Sequence, residues 1–220
     1  MIERILPDKA AVSWSVEDAP ESVLLPEEAA RISGAVVERR REFATVRHCA
    51  REALGILGVA PVALLPGPQG EPRWPDGVVG SMTHCAGYRA AAVAPAAELR
   101  SLGIDAEPDL PLPDGVFDAI ACSEERARMA RMSGAAHPDR LLFSAKESVY
   151  KAWFPLTRRP LDFSEASLVF TCDGTFAAHL LVPGPEHAGG RLQMFHGRWA
   201  ATAGLLLTSV VIGHPIGAGI

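Results

Sequence analysis

The chain has 220 residues, of which 48% are hydrophobic and 21% are charged, and its formal net charge is -5. This length and apolar content are sufficient for a sizeable core in one large domain or two small ones. The acidic balance argues against a general nucleic-acid-binding protein, although it is compatible with local basic patches. The first residues lack the apolar run of a signal peptide, and the most apolar stretch, residues 200–212, is too short to span a bilayer. We therefore expect a soluble, cytoplasmic protein that does not bind membranes.

Local signals in the first quarter of the chain predict a strand, a short helix and a long helix. Apolar and polar residues alternate over residues 12–16, which favours a strand. Pro26, with two glutamates after it, is typical of a helix start. Residues 36–57 form the clearest amphipathic helix, with one apolar stripe and Gly58 directly after it.

Three arginines of this long helix are candidates for ligand binding. Arg40 and Arg47 fall at the margin of the apolar stripe, roughly 20° apart around the helix axis, whereas Arg39 falls inside the stripe. An arginine among core positions needs a partner, because its desolvation is costly. Two interpretations remain open: an ion pair with a nearby glutamate, or a phosphate site, for which guanidinium geometry is well suited.

The next stretch carries a loop and a hairpin. Residues 61–77 are rich in proline and glycine, which predicts a loop. Residues 78–94 are predicted to form two strands around a turn, with Thr83 and His84 near the end of the first strand. Both side chains can donate a hydrogen bond to a phosphate oxygen. Without such a ligand, His84 is an ordinary histidine at a strand end.

Two carboxylates occupy the end of a further predicted strand, residues 102–108. Asp105 and Glu107 are two residues apart, so both side chains project from the same face of the strand, and Pro108 ends it. Like charges side by side repel each other unless a cation lies between them. The pair is therefore either a set of surface charges or a pair of oxygen ligands for a hard divalent ion.

Residues 141–153 are predicted to form a second long helix. Glu147 and Lys151 lie one turn apart, opposite the apolar side. Alone, such a pair is typical of a solvated helix surface. Together with Asp105 and Glu107, it provides three carboxylates and an ammonium on separate elements. The apolar side consists of Leu141, Leu142, Ala145, Val149, Ala152 and Trp153.

The remaining elements follow from turn and capping residues. Residues 116–121 and 123–132 are predicted helices, the second with Ser123 as its N-cap. Pro155 and Pro160 are expected to end the helix that carries Glu147. Strands are predicted around turns within residues 168–181 and 199–212.

The order and spacing of these motifs resemble one enzyme family. Residues 103–107 (Gly-Ile-Asp-Ala-Glu) and residues 146–151 (Lys-Glu-Ser-Val-Tyr-Lys) resemble the paired motifs of the 4'-phosphopantetheinyl transferases of the large, surfactin-synthetase-activating type. Residues 70–75 and 80–85 resemble upstream motifs of that family, and the basic helix at 39–47 resembles its N-terminal helix.

The resemblance implies an α+β fold, a pseudo-dimer of two similar helix-plus-antiparallel-sheet halves. We expect an N-terminal half, residues 1–103, that binds coenzyme A, and a C-terminal half, residues 104–220, that binds metal and performs catalysis. The implied reaction transfers 4'-phosphopantetheine from coenzyme A to a serine of an apo acyl or peptidyl carrier protein. The implied ion is Mg²⁺, with Mn²⁺ possible. A monomer is expected because the pseudo-dimer is internal.

The resemblance also implies roles for individual residues. Glu147 and Lys151 are the expected catalytic residues, as general base and as stabiliser of the leaving group. The expected metal ligands are Asp105, Glu107 and Glu147. The expected coenzyme-binding residues are Arg39, Arg47, Thr83, His84, Asp105 and Lys146. A separate candidate is a basic patch, which is either an ordinary solvated face or, as we expect here, a docking surface for an acidic carrier; it consists of Arg126, Arg128, Arg131, Arg158 and Arg159.

One departure from the family pattern and two alternative functions stand beside this interpretation. Many relatives carry a lysine in the proline-rich loop, whereas here Arg73 is the only cation of that loop. The first alternative is a Mg²⁺-dependent phosphodiesterase that acts on a nucleotide without a carrier. The second is a non-catalytic module that binds carriers or nucleotides.

Overall fold

The computed structural model describes residues 1–132 and 135–215. The helices in these ranges are α1 (Pro26–Ile32), α2 (Val37–Ile56), α3 (Val116–Ile120), α4 (Ser123–Met129) and α5 (Pro138–Thr157). The strands are β1 (Ala11–Ser15), β2 (Val78–Cys85), β3 (Tyr88–Pro95), β4 (Leu99–Pro108), β5 (Ala166–Phe170), β6 (Thr175–Leu180), β7 (Glu186–His187), β8 (Gly190–Arg191), β9 (Met194–Thr202) and β10 (Leu205–Gly213). Short 3-10 turns lie at Ile2–Ile5, Glu21–Val23 and Phe163–Glu165.

In the described residues, two larger antiparallel sheets are each covered by one long helix, and β7 and β8 form a separate two-stranded sheet. The first sheet has the strand order β1-β3-β2 and packs against α2. The second has the order β4-β10-β9-β6-β5 and packs against α5. The predicted α+β architecture of two helix-plus-sheet halves is therefore confirmed. Strand β4 belongs wholly to the second sheet, so the expected division at residues 103 and 104 falls inside a strand.

The apolar stripes of the two long helices explain where they pack. In α2, Cys49, Ala50, Ala53 and Leu54 are buried against β1 and β3. In α5, the six apolar residues predicted to share one side are all fully buried against the second sheet. Hydrophobic burial of a helical stripe on a sheet face is thus the main interaction that holds each half together.

Strand β4 contacts different partners on its two faces. Leu102, Ile104 and Ala106 lie in the core between the two sheets. The alternate residues face α5: Ser101 Oγ donates to the Ala152 carbonyl at 2.8 Å. Gly103 permits the closest approach, because a Cβ atom there would lie 2.0 Å from the Ser148 carbonyl oxygen. The strand and the helix that carry the candidate carboxylates are therefore held in direct backbone contact.

The free edge of β4 is covered by β2 from the other half. The Ile104 amide donates to Ser81 Oγ, and the Ala106 amide donates to Thr83 Oγ1, both at 3.0 Å. These bonds satisfy donors of β4 that its other neighbour, β10, does not reach. Thr83 consequently connects the two halves beside Asp105.

Most predicted elements are present, and three local expectations are wrong. The N-cap of α4 is Cys122, one residue before Ser123. Pro155 does not end α5, which continues to Thr157 and stops where Arg158 adopts a left-handed conformation. The helix predicted at residues 123–132 is α4, and it ends at Met129. No helix in the described ranges is both long and apolar enough to cross a membrane.

Candidate active site

A cleft with a volume of about 1030 Å³ opens between the two halves, with walls from α2, the loop at residues 66–74, β2 and α5. Five predicted site residues line it: Arg39, Arg47, His84, Glu147 and Lys151. Seven cations face three carboxylates, so the charge of the walls favours a polyanionic ligand. The cations are Arg31, Arg39, Arg47, Arg73, Arg100, Lys151 and Arg158, and the carboxylates are Glu42, Glu71 and Glu147.

Asp105 does not line the cleft; it is buried beside Lys151, which does, and both halves hold it. Lys151 Nζ donates to Asp105 Oδ1 at 2.7 Å and to the Ile104 carbonyl at 3.1 Å. Thr83 Oγ1 donates to the same Oδ1 at 3.2 Å. The other oxygen, Oδ2, is buried and has no hydrogen-bond partner among the described residues. A buried carboxylate oxygen without a partner is costly, so this atom is a candidate ligand position.

The other two carboxylates lie in environments that disfavour their charge. Burial, and then the negative charge of Asp105, raise the pKa of Glu107, although its ion pair with Arg140 at 2.9 Å opposes the shift. Burial also raises the pKa of Glu147, with Lys151 opposing and Asp105 adding to the shift. Asp105 thus acts electrostatically on both glutamates.

These carboxylates have the chemistry of ligands for a divalent cation, but they do not converge on one point in this structure. Within residues 1–132 and 135–215, no three acidic, histidine or cysteine side chains converge as a metal cluster. Lys151 and Arg140 instead hold positive charge beside Asp105 and Glu107. The unpartnered Asp105 Oδ2 and the mutual repulsion of the carboxylates are nevertheless features that a bound cation would relieve.

A second charged group lies at the α2 side of the cleft. Arg39 Nη1 is 2.7 Å from His84 Nε2 and 3.3 Å from Glu42 Oε2. Because a guanidinium only donates, Nε2 of His84 accepts here. Burial of the ring, and then the positive charge of Arg39, lower the pKa of His84. Arg39 was expected inside the apolar stripe, but it is about half exposed, because the start of α2 leaves the core.

Arg47 is buried and still borders the cleft. Its Nε donates to the Leu64 carbonyl at 2.9 Å, and its guanidinium carbon lies 3.1 Å from the centroid of the Phe43 ring. Burial lowers the pKa of Arg47 to about 10, so the side chain stays charged at neutral pH. A stacked guanidinium with few protein acceptors is well suited to bind an anion.

Comparison with known proteins identifies the family of the chain. A family model described as the 4'-phosphopantetheinyl transferase N-terminal domain matches residues 27–94, and the model of the 4'-phosphopantetheinyl transferase superfamily matches residues 101–203. The chain belongs to this superfamily. Both matches together include every predicted site residue, and the expected family and enzyme class are confirmed.

Three relatives of this transferase align over most of its length. It is 56% identical to the 4'-phosphopantetheinyl transferase Svp of Streptomyces mobaraensis, over 99% of this chain and 91% of the relative. It is 52% identical to PptT of Mycobacterium tuberculosis, over 89% and 88%. It is 48% identical to Npt of Nocardia iowensis, over 96% and 99%. Neither the phosphodiesterase nor the non-catalytic module is supported.

Lys146 of the transferase does not reach the cleft. Its side chain is buried, and Nζ lies within hydrogen-bond distance of Glu125 Oε2 at 2.9 Å and of three backbone carbonyls. These carbonyl oxygens belong to Ile120 (2.8 Å), Phe163 (2.6 Å) and Ala166 (3.1 Å). The ammonium has three protons and four protein oxygens around it, so it has no donor left for a coenzyme phosphate. The expected phosphate contact therefore does not fit this arrangement.

Two charged residues beside the site were not among the predictions. Glu42 contacts Arg39 and His84 from one turn further along α2. Arg140 forms the ion pair with Glu107. A sequence signal for Arg140 exists, because it precedes Glu147 by two helical turns and so shares its face of α5.

Proposed function

We propose that the cleft binds coenzyme A and that β4 and α5 carry out the transfer of its 4'-phosphopantetheine group to a serine of an apo acyl or peptidyl carrier protein. The observation that supports this assignment best is the shared hold on Asp105. Lys151 from α5 and Thr83 from β2 both donate to Oδ1, which leaves a buried oxygen free where the two halves meet.

The α2 side of the cleft is proposed to bind the phosphorylated nucleoside end of the coenzyme. Arg39 and Arg47 would donate to phosphate oxygens, and a phosphate there would compete with Glu42 for Arg39. His84 would donate from its ring once a phosphate replaces Arg39 at Nε2. Thr83 contributes indirectly, because its hydroxyl proton is already used by Asp105.

Asp105, Glu107 and Glu147 are the residues proposed to hold Mg²⁺ or Mn²⁺. All three are carboxylates, the ligand type that hard cations prefer. A cation bound there would offset the negative charge of the coenzyme pyrophosphate.

Glu147 and Lys151 are proposed to handle protons and charge during transfer. The carrier serine oxygen forms a bond to the β-phosphorus of the coenzyme, and its proton passes to Glu147, directly or through water. The bond from that phosphorus to the bridging oxygen breaks, and 3',5'-bisphosphoadenosine leaves. Lys151, one turn from Glu147, offsets the charge that develops on the leaving oxygen or protonates it.

The carrier is proposed to approach over the arginines that flank α5. Arg131, Arg158 and Arg159 are exposed. Arg126 is paired with Asp118 at 3.1 Å, and Arg128 donates to Ser167 and Leu168, so these two have less capacity for a partner. Arg158 also lies 3.6 Å from Glu71, so an acidic carrier surface would meet Arg131 and Arg159 first and would compete with Glu71 for Arg158.

Incubation with coenzyme A, Mg²⁺ and a panel of apo carriers, followed by intact mass measurement, tests the proposal. We expect the carrier mass to rise by one phosphopantetheine group and bisphosphoadenosine to be released in equal amount. A carrier with alanine in place of its serine should remain unmodified. Hydrolysis of coenzyme A in the absence of any carrier would contradict the proposal. So would near-normal transfer by the Asp105→Ala variant.

A further inference from the structure

Arg140 holds the chain that leaves β4. Its Nη1 donates to Glu107 Oε2 at 2.9 Å, its Nε to the Leu110 carbonyl at 3.1 Å and its Nη2 to the Pro111 carbonyl at 2.7 Å. The side chains of Arg140 and Glu107 are each only 18% exposed. All three groups of one rigid guanidinium are thus committed to a single short segment, which fixes its orientation relative to α5.

This arrangement links two of the proposed metal ligands. Arg140 and Glu147 are seven residues apart, so they share a face of α5 and lie about 10 Å apart along its axis. Arg140 engages only Oε2 of Glu107, and Oε1 accepts no hydrogen bond from the described residues. The ion pair therefore sets where Glu107 stands relative to the helix that carries Glu147, while it leaves one oxygen for another partner.

The same loop has a second attachment that does not involve Glu107. The His137 amide donates to Asp109 Oδ1 at 3.1 Å, and the Leu112 amide donates to Asp139 Oδ2 at 2.8 Å. These bonds tie the first residue and the middle of the loop to the start of α5. The attachment of the loop and the orientation of Glu107 can therefore be changed separately by substitution.

We propose that Arg140 is a positioning residue that orients Glu107 for the divalent cation, an inference that rests on the proposed function. Carboxylates that bind metals are commonly held by a hydrogen bond on one oxygen, and removal of that partner weakens metal binding about 10–100-fold. The positive charge of Arg140 also repels a cation. Because that charge is already paired with Glu107, the loss of orientation outweighs the relief of repulsion.

Mn²⁺ titration of the full chain, without coenzyme or carrier, measures this role by calorimetry. Arg140→Met should weaken Mn²⁺ binding about 10–100-fold. Arg140→Lys keeps the charge but cannot reach all three acceptors, so an intermediate loss is expected. Transfer activity of Arg140→Met should recover as Mg²⁺ is raised, since the variant changes cation affinity more than the rate at saturation.

Asp139→Ala is the matched control, because it removes one attachment of the loop and leaves the Arg140–Glu107 pair intact. It should lower the Tm without changing Mn²⁺ affinity. Equal or tighter Mn²⁺ binding by Arg140→Met would overturn the inference, and so would an equal loss in Asp139→Ala. Asp105→Ala separates the two proposals. If it binds Mn²⁺ normally, the metal assignment fails together with this inference. If Asp105→Ala loses Mn²⁺ while Arg140→Met keeps it, this inference alone fails.

Discussion

The two long helices have equal length and similar packing, yet they use their buried cations differently. Both α2 and α5 have 20 residues and cover an antiparallel sheet. Arg47 of α2 makes one hydrogen bond to a protein carbonyl among the described residues, and it borders the cleft. Lys146 of α5 lies within hydrogen-bond distance of four protein oxygens. Burial alone therefore does not distinguish a ligand-binding cation from a structural one, whereas the number of protein acceptors does.

The largest expected effect concerns Glu147, which directly follows the buried cation of α5 and projects roughly 100° away from it around the helix axis. Glu147→Gln removes the proposed base but keeps the size of the side chain. We expect the transfer rate to fall about 10²–10⁴-fold, the usual contribution of a positioned general base. Intact mass measurement of an apo carrier over time gives the rate.

The control for this prediction lies on the other helix. Glu38 occupies the exposed first turn of α2 and does not line the cleft, so Glu38→Gln removes the same charge outside the proposed site. Its transfer rate should match that of the wild type. A similar loss of rate in both variants would mean that net charge, rather than proton transfer at Glu147, controls the reaction.

The second prediction separates the two buried cations by stability. Lys146→Met leaves Glu125 buried without its ammonium partner, so we expect a loss of about 3–5 kcal/mol in the free energy of unfolding. Arg47→Met removes one hydrogen bond from a charged group, and its expected cost is about 1.5–3 kcal/mol. Urea denaturation measures both changes.

For coenzyme binding, we expect Arg47→Met to have a larger effect than Lys146→Met. Arg47→Met is expected to weaken coenzyme A binding about 10-fold or more, since a charge-assisted hydrogen bond is worth about 1.5–3 kcal/mol. Lys146→Met, assayed at a temperature where it remains folded, should bind the coenzyme normally. Weak coenzyme binding by a well-folded Lys146→Met would mean that Lys146 contacts the coenzyme, as the family motif implied.

The sequence predicted the helices and their apolar sides because helical periodicity depends on local spacing alone. It also indicated the strand of Asp105 and Glu107, since Pro108 ends that strand at the expected residue. The buried position of Lys146 also has a signal in the sequence: Leu142, Val149 and Trp153 stand four residues before it and three and seven after it, which is the spacing of one buried stripe.

Contacts between distant segments were beyond sequence reasoning. The shared hold on Asp105 needs Thr83 from one half and Lys151 from the other. The exposure of Arg39 depends on where α2 passes the edge of its sheet, and periodicity does not report that edge. The β7–β8 pair was also unpredicted, because two-residue strands have no periodic pattern.

The third prediction compares the close contact of β4 with α5 at Gly103 with the open space around Gly55 in α2. Gly103→Ala would bring a Cβ atom to 2.0 Å from the Ser148 carbonyl of α5, and backbone cannot yield as a side chain does. We expect a loss of about 1–3 kcal/mol in unfolding free energy, together with reduced transfer. Gly55→Ala in α2 meets no atom within 4 Å and should stabilise the protein by about 0.5–1 kcal/mol. Equal effects of the two substitutions would contradict the close contact of β4 with α5.

The smallest expected effect is a dependence of stability on pH that originates at Glu147. Burial raises the pKa of this carboxyl above its ordinary value, and Asp105 adds to the shift while Lys151 opposes it. A raised pKa in the folded state means that protonation stabilises the protein. This contribution is complete below the pKa of the unfolded chain, about 4.3, and is lost as pH rises through the folded pKa. The ionised side chain therefore lowers stability at neutral pH.

Glu147→Gln cannot ionise, so it should raise the Tm at a pH of about 8 and have little effect at about 4, where the wild-type carboxyl is largely protonated. Thermal scans in the presence of a chelator measure this difference without bound cations. An equal Tm gain at both values would assign the effect to packing rather than to charge. If the Tm gain is confined to the higher pH, Glu147→Gln both removes activity and adds stability at neutral pH. This is the expected behaviour of a carboxylate kept in an unfavourable environment for catalysis.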